Sequence, residues 1–481
     1  MPALAERVGG AGASVALDAA SFAAAVNGTI VREGRNSIRG AAVDSRRVEP
    51  GNAFFALPGE RTDGHMFLVD AAHRGAAALV VTQDPDREVL ASLAGLPGGG
   101  PQVISVDDAL VALQQAAAEW RNRFEPIVVG VTGSLAKTST KEQIAEVLSE
   151  RWNVLRNTAN ENNEIGLPLT LLRLAPEHEI AVLEMGMYAA GDISPLAALA
   201  RPTIGVVTAV RGTHLSRAGS IDEIERGKRE LVEALPSGGT AILNADDPRV
   251  ARMAHAVASG VEVMTYGFEP SADVTAAEVV SLGPDGMRFL LRASGGDAAV
   301  VTSALGRHSV HNALAAAAVG IALGLDLGTI SRGLARPFAM PHRTTLIDLG
   351  PIKVLDDSYN ASPDSMIAAL DLLVSLPGRH VAIMGEMLEL GESSAAEHRS
   401  VGKHAGDVVD LLISGVDEYL DGARKGRAET RHEGKAELLE HGANDLRPGD
   451  IVLIKGSRGA GMEELLPVLE AAAKRMMEPV G

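Results

Sequence analysis

Gly130-Val131-Thr132-Gly133-Ser134-Leu135-Ala136-Lys137-Thr138-Ser139-Thr140-Lys141-Glu142 decides how the rest of this chain is read. An apolar run, Ile127-Val128-Val129, precedes it, and a helical pattern of Ile144, Ala145, Val147 and Leu148 follows. Strand, small-residue turn with Lys-Thr, then helix is the layout of a loop that cradles phosphate. Backbone N–H groups at the helix N-terminus face an anion, the lysine reaches the outer phosphates, and the hydroxyl after it can hold Mg²⁺. Gly133, Ser134, Lys137, Thr138 and Ser139 are the candidate nucleotide contacts. The pattern G-x-x-x-x-G-K-[ST] fails here in two places: Ala136 stands where it has glycine, and Gly130 lies one residue too early. An ordinary strand–helix turn with a surface lysine is the competing reading.

With 481 residues the chain is too long for one core. Aromatic residues make up only 3%, so Ala, Val and Leu must fill the interior. No apolar stretch follows a basic start, and no run of about 18 apolar residues occurs, so neither a signal peptide nor a membrane span is expected. Cysteine is absent, which excludes disulfides, thiolate metal sites and thiol catalysis, and suits a cytoplasmic protein. A formal charge of −18 argues against nucleic-acid binding. Any anionic substrate then needs locally placed Lys, Arg and helix N-termini.

Apolar runs ending on polar residues recur along the chain. Ile180-Ala181-Val182-Leu183 ends on Glu184, Ile204-Gly205-Val206-Val207 on Thr208, and Thr240-Ala241-Ile242-Leu243 on Asn244. Ile352-Lys353-Val354-Leu355 ends on Asp356-Asp357, and Ile451-Val452-Leu453-Ile454 on Lys455-Gly456-Ser457-Arg458. Strands alternating with helices imply mostly parallel sheets, with ligands at the carboxyl ends of the strands. Residues 270–302, polar, alternating and Gly-punctuated, read as an antiparallel insertion. The expected class is α/β in three domains: a small N-terminal unit over 15–107, a central unit with a P-loop-type, mostly parallel sheet over 108–335, and a Rossmann-like C-terminal unit over 336–481.

Four further features carry chemistry. Glu184 at a strand end can reach a metal held by the Thr138 hydroxyl, or is simply a solvated strand end. Asn160, Asn162 and Asn163 lie in an Asn-rich loop that serves as a turn or contacts substrate. His214, past another strand end, is a ligand or a surface group, and nothing local distinguishes Lys228 from a solvated helix lysine.

Together these strings resemble the Mur ligase family over about residues 15–475, and within it most of all the MurF branch. The resemblance rests on T-G-S-L-A-K-T-S-T-K-E, N-E-N-N-E-I-G-L-P-L-T-L-L, E-M-G, H-L-S-R-A-G-S-I with its downstream K-R-E-L, I-L-N-A-D-D, and G-R-H-S-V-H-N-A-L. D-D-S-Y-N-A-S-P-D-S-M and G-E-M-L-E-L-G separate that branch from its relatives. The N-terminal D-S-R…P-G-N-A-F-F-A-L-P-G-E…D-G-H looks like a UDP-sugar-binding unit.

The resemblance implies an ATP-dependent ligase that adds D-alanyl-D-alanine to UDP-N-acetylmuramoyl-tripeptide, acting as a cytoplasmic monomer. It further implies Lys137 on the ATP phosphates and Thr138, Glu184 and His214 around two Mg²⁺ ions, with a CO₂-derived carbamate on Lys228. Asn312 would meet adenine, Arg343 and Asp357 would meet ATP, and Tyr359 and Asn360 would line the same face. Ser45 and Arg46 would sit near the UDP-sugar. Joins near 95–101 and 335–343 would flex as the domains close. Three departures stand out: Ala136 for a phosphate-loop glycine, Ala209 where many relatives have Asn, and Glu386 for the Asp of the G-D-M-L-E-L-G form. A related amide ligase for another amine, and a silenced nucleotide-binding homologue, are the competing functions.

Overall fold

The computed structural model describes residues 16–478 apart from 36, 60–61, 159, 213–218 and 338–339. Three sheets follow one another along the chain. The first comprises β1 (Thr29–Arg32), β2 (Ala41–Ala42), β3 (Ala53–Phe55), β4 (Ala78–Val81) and β5 (Gln102–Ser105), in the order β1-β5-β4-β3-β2. The second comprises β6 (Ile127–Thr132), β7 (Val154–Arg156), β8 (Ile180–Glu184), β9 (Ile204–Val207), β10 (Thr240–Asn244), β11 (Glu262–Gly267), β12 (Val274–Ser281), β13 (Met287–Ala293) and β14 (Gly296–Thr302). Their order is β14-β13-β12-β11-β10-β9-β6-β8-β7. The third holds β15 (Thr345–Asp348), β16 (Lys353–Asp356), β17 (Arg379–Met384), β18 (Leu411–Ser414), β19 (Glu429–His432) and β20 (Asp450–Lys455), ordered β15-β16-β20-β17-β18-β19.

Most neighbouring strands run parallel, because their Val/Ile/Leu runs are buried on both faces. β12, β13 and β14 pair antiparallel, and burial along β13 alternates, as the polar, Gly-punctuated composition of 270–302 leads one to expect. β6 shows how the central sheet feeds two cores. Val128 joins one with Ala181 and Leu183 of β8, while Val129 and Val131 join the other with the helix Lys137–Leu148. Gly130 faces the first core, where a Cβ would lie 2.8 Å from Leu231 Cδ1. Its glycine therefore serves close helix–sheet packing, which explains why it falls out of step with the phosphate-loop pattern.

The first core continues into the N-terminal sheet through Phe55, Val80 and Ile104, and through Leu113, Ala117 and Trp120 of the helix Ala109–Arg121. Trp120 Nε1 donates to the Leu174 carbonyl at 2.9 Å, so the large indole is buried with its one donor satisfied. On the opposite face the small residues of the helix Arg307–Ala322 let it settle onto the helix Lys137–Leu148; Gly320 faces Val147 and Ile330. The segment 95–101 is not a join between units. It lies between the helix Arg87–Ala94 and β5, and Arg32 and Arg35 hold the carbonyls of Pro97, Gly99 and Pro101. Among the described residues no helix is long and apolar enough to cross a membrane.

β6 sits where the strand order reverses: β8 and β7 extend one way from it, β9 and β10 the other. Such a switch point opens a crevice at the carboxyl ends of the strands, and the loop 133–136 occupies it. Gly133 adopts φ 149°, and a Cβ there would collide with Thr208 Oγ1. Thr208 Oγ1 in turn donates to the Leu135 carbonyl at 2.6 Å, and Ser134 N donates to the Ala209 carbonyl at 2.7 Å. These bonds pin the loop, so Ala136 is forced into the left-handed region at φ 60°, ψ 7°, immediately before the helix. The side chain costs roughly 1–2 kcal/mol in that conformation.

Ala136→Gly relieves this strain and loses about 0.5–1 kcal/mol of it to the greater freedom of the unfolded chain. Urea unfolding of the variant is expected to show a net gain of about 0.5–1 kcal/mol; equal or lower stability would show that the loop carries no strain at Ala136.

Candidate active site

Loops from the carboxyl ends of β6 and β8 face loops from β16, β17 and β20 across one cavity of about 1370 Å³. That exceeds the roughly 300–1,000 Å³ that encloses one drug-sized ligand. Ser134, Lys137, Thr138, Ser139, Asn160, Asn162, Asn163 and Glu184 line one wall, and Arg343, Asp357, Tyr359 and Asn360 line the other. Asn312 also reaches it, from the helix Arg307–Ala322, and its Oδ1 accepts from Thr140 Oγ1 at 3.2 Å.

Glu184 ends β8 only 2% exposed. Asn162 Nδ2 donates to its Oε1 at 2.7 Å, while its Oε2 is buried without a partner. A native protein seldom leaves a carboxylate oxygen so placed unless something else binds there. Asn163 has a structural task, since its Oδ1 accepts from Gly166 N at 2.9 Å at the start of the helix Gly166–Leu171.

Lys228 lies on the helix Ile221–Glu233, whose start is capped by the Ser220 hydroxyl. Ile224, Gly227 and Leu231 form its buried face, and Lys228, four residues beyond Ile224, shares that face at 4% exposure. Burial, and then the Lys137 ammonium, pushes the Lys228 amine well below the usual lysine range. Lys137 is also pushed down by burial; Glu184 opposes the shift and Arg343 adds to it. Glu184 thus acts on Lys137, and Lys228 and Arg343 both lie within reach of the Lys137 charge, so three cations gather around the start of the phosphate-loop helix. His214 lies outside the described residues.

The opposite wall is built around the end of β16. His342 and Thr344 both have positive φ, 63° and 48°. His342 Nδ1 sits 2.8 Å from Asp356 Oδ2, and Thr344 N donates to Asp357 Oδ1 at 2.9 Å. Arg343, held between them, stacks over the Tyr359 ring at 3.9 Å, and Arg458 lies 5.4 Å from the same centroid. Asp357 is ion-paired with Lys455, which is 2% exposed and also donates to the Asn360 carbonyl at 2.8 Å. Lys455 therefore builds the loop that carries Tyr359 and Asn360. Ser457 does similar work for the loop after β17, accepting from Leu388 N at 2.8 Å.

Arg211 spans the two walls. Ser134 Oγ bonds both its N–H and its carbonyl, its guanidinium pairs with the buried Asp247, and its Nε reaches Asp364 Oδ2 at 3.1 Å. Ser45 and Arg46 stand apart from the cavity: Ser45 is buried and hydrogen-bonded to Asp70, and Arg46 lies on Asp44 at 2.7 Å. The next residue, Arg47, ties this turn to Glu161 at 3.2 Å.

Arg211, Asn157, Lys141 and His308 were not singled out from the sequence. Asn157 follows the short strand Val154–Arg156, which ends on an arginine and so gives a weaker signal than the run before Glu184, and Lys141 lies one helical turn beyond Lys137. Burial pushes His308 down from the usual histidine range; the Asp357 charge opposes this and Lys455 adds to it, so His308 faces the C-terminal wall.

The chain matches three family models in order: the Mur ligase family catalytic domain over 37–121, the Mur ligase middle domain over 131–320, and the Mur ligase glutamate ligase domain over 342–458. It is 36% identical over 440 residues to the UDP-N-acetylmuramoyl-tripeptide–D-alanyl-D-alanine ligase of Escherichia coli K12, covering 89% of this chain and 92% of that protein. The crystal structure of MurF from Acinetobacter baumannii superposes with a TM-score of 0.83 at 30% identity, covering 95% of this chain and 99% of that one. MurF ligase from Thermotoga maritima, solved in complex with ADP, gives a TM-score of 0.76 at 26% identity, with 91% and 98% covered. Likeness of this extent, along the same strings that build the cavity, means that the chain belongs to the Mur ligase family.

Proposed function

We propose that this chain joins D-alanyl-D-alanine to UDP-N-acetylmuramoyl-tripeptide with ATP, through an acyl phosphate, as a step in cytoplasmic peptidoglycan precursor synthesis. The observation that carries the reading is that Lys137, Glu184 and Arg343 line one cavity large enough for a nucleotide and a peptide, with the buried Lys228 within reach of the Lys137 charge.

In the first step a terminal carboxylate oxygen of the tripeptide attacks the γ-phosphorus of ATP, the bond to the β-phosphate oxygen breaks, and ADP leaves. Lys137, with the N–H groups at the start of the helix Lys137–Leu148, offsets the charge crowded together there. Arg343 supplies a second cation from the opposite wall, and Asn312 holds the adenine. The neutral amine of D-alanyl-D-alanine then adds to the acyl carbon, and the tetrahedral intermediate expels inorganic phosphate, leaving the amide. Asp357, Tyr359 and Asn360 line the wall where ATP and the amine meet. Asn160, Asn162 and Asn163 border the carboxylate side. Ser45 and Arg46 are assigned to the UDP-sugar, on the side that Arg47 ties to the 157–163 loop.

Thr138 and Glu184 fit Mg²⁺ and, with His214, make the proposed set around the two ions, the second also held by a carbamate on Lys228. The fit rests on Glu184 Oε2, buried and unpartnered. Among the described residues no three His, Asp or Glu side chains gather to hold a metal; Mg²⁺ asks for no such group, because it binds through one or two carboxylates, substrate phosphates and water. When bound, it would neutralise phosphate charge during transfer. Lys228 fits a carbamate for a related reason. Burial and Lys137 favour its neutral amine, which is the form that adds CO₂, and the resulting anion relieves the repulsion between the two lysines.

The reading is tested by the mass of the product formed from UDP-N-acetylmuramoyl-tripeptide, ATP and D-alanyl-D-alanine. Condensation with release of ADP and phosphate is expected; binding of nucleotide without turnover would make the chain a silenced homologue, and turnover only with another amine would change the substrate. Lys137→Ala is expected to abolish ligation with unchanged thermal unfolding, and activity within about tenfold of the parent would count against the assigned phosphate contact. Lys228→Ala is expected to be nearly inactive and partly restored by added formate or acetate. Full activity of this variant without any added acid would remove the carbamate from the account.

A further inference from the structure

We infer that Asn157, held in place by the buried Lys141, positions the Glu184 carboxylate for a divalent cation. The inference rests on the ligase reading only in taking Glu184 as the metal-facing group. Asn157 follows β7 and is 1% exposed. Its Oδ1 accepts from Glu184 N at 2.9 Å, and its Nδ2 donates to the Glu184 carbonyl at 3.0 Å and to the Glu161 carbonyl at 2.8 Å. One side-chain amide therefore grips both backbone groups of Glu184. A hydroxyl has one proton and could not serve both the Glu184 and Glu161 carbonyls, and a carboxylate would meet them with no proton to share.

Asn157 is itself anchored. Its carbonyl accepts from Lys141 Nζ, and Lys141, fully buried on the helix that Lys137 begins, is 2.8 Å from Glu142 Oε1. The phosphate-loop helix, the end of β7 and the end of β8 are thus linked through one asparagine. Asn162 occupies Glu184 Oε1, so the linked framework aims Oε2 without a donor. Leaving such an oxygen unbonded is unfavourable, and a carboxylate on a loose strand end would turn to find a partner. Asn157 prevents that turn by fixing the backbone from which the carboxylate projects. It is a positioning residue and touches no substrate.

The test uses the full-length chain with Mn²⁺ as the probe, its binding followed by electron paramagnetic resonance in the presence of ADP. Asn157→Ala is expected to weaken Mn²⁺ binding about tenfold to a hundredfold, as loss of a group supporting a metal ligand commonly does. ADP affinity without metal is expected to stay within about twofold of the parent, a pattern that a merely collapsed loop would not give. Asn157→Ser keeps one acceptor for Glu184 N and carries the test if the alanine variant fails to fold; it should fall between parent and alanine. Mn²⁺ affinity unchanged in a folded variant, or ADP affinity lost equally with and without metal, overturns the inference. A parent whose Mn²⁺ affinity depends on Asn157 yet which forms no ligation product contradicts the ligase reading alone. A parent that ligates with metal affinity indifferent to Asn157 contradicts this inference alone.

Discussion

Lys228 is buried and Lys137 half-buried, close enough that the Lys137 charge lowers the Lys228 amine, and Glu184 offsets the charge of Lys137. Like charges in a partly dehydrated site repel more strongly than in solution. Two responses relieve the repulsion: an amine loses its proton, or an anion arrives. Both bear on function, because a neutral lysine can add CO₂ and a polyphosphate brings several negative charges at once. The acidic balance of the chain sharpens the contrast. With a formal charge of −18 overall, an anionic nucleotide has reason to approach only where such cations are gathered.

The gathering depends on strand order. β6 lies at the reversal in the central sheet, so its loop is free of a neighbouring crossover and can receive phosphate, while β8 places Glu184 beside it. The third sheet contributes Arg343 from a turn stapled to β16, and its loops face the same cavity. One polar contact between the walls runs from Arg211 to Asp364, whose side chains are 42% and 54% exposed, and Leu305 adds an apolar one by packing into the C-terminal core. A bridge so exposed contributes only about 0–1 kcal/mol. Ser134 bonds the backbone of Arg211, so the same residue that helps form the phosphate loop also steadies the bridge.

Periodicity carried most of the fold. Buried runs of Val, Ile and Leu ending on Glu184, Asn244, Asp356 and Lys455 are strands because both faces are covered, and their polar ends gather because parallel strands share a direction. The loop was legible for its chemistry but not for its geometry. Gly130 looked like a displaced phosphate glycine and proves to be a packing position against Leu231. The strain at Ala136 depends on bonds from Thr208 and Ala209, which are remote in sequence. Lys228 has no local mark because its burial comes from the face its helix presents. Lys455 and Asn163 show the reverse: polar residues with a functional look that spend their hydrogen bonds on backbone carbonyls and N–H groups. Segment 95–101, rich in Gly and Pro, reads as a hinge until Arg32 and Arg35 are seen to hold it.

The central claim is that the cleft transfers the γ-phosphoryl group of ATP to a carboxylate oxygen, and the fate of that oxygen tests it most directly. UDP-N-acetylmuramoyl-tripeptide labelled with oxygen-18 in its terminal carboxylate is turned over with ATP and D-alanyl-D-alanine, and the phosphate is analysed by mass. An acyl phosphate leaves one labelled oxygen in each inorganic phosphate released and one in the new amide. Label in AMP with release of pyrophosphate, or phosphate free of label, would contradict the account.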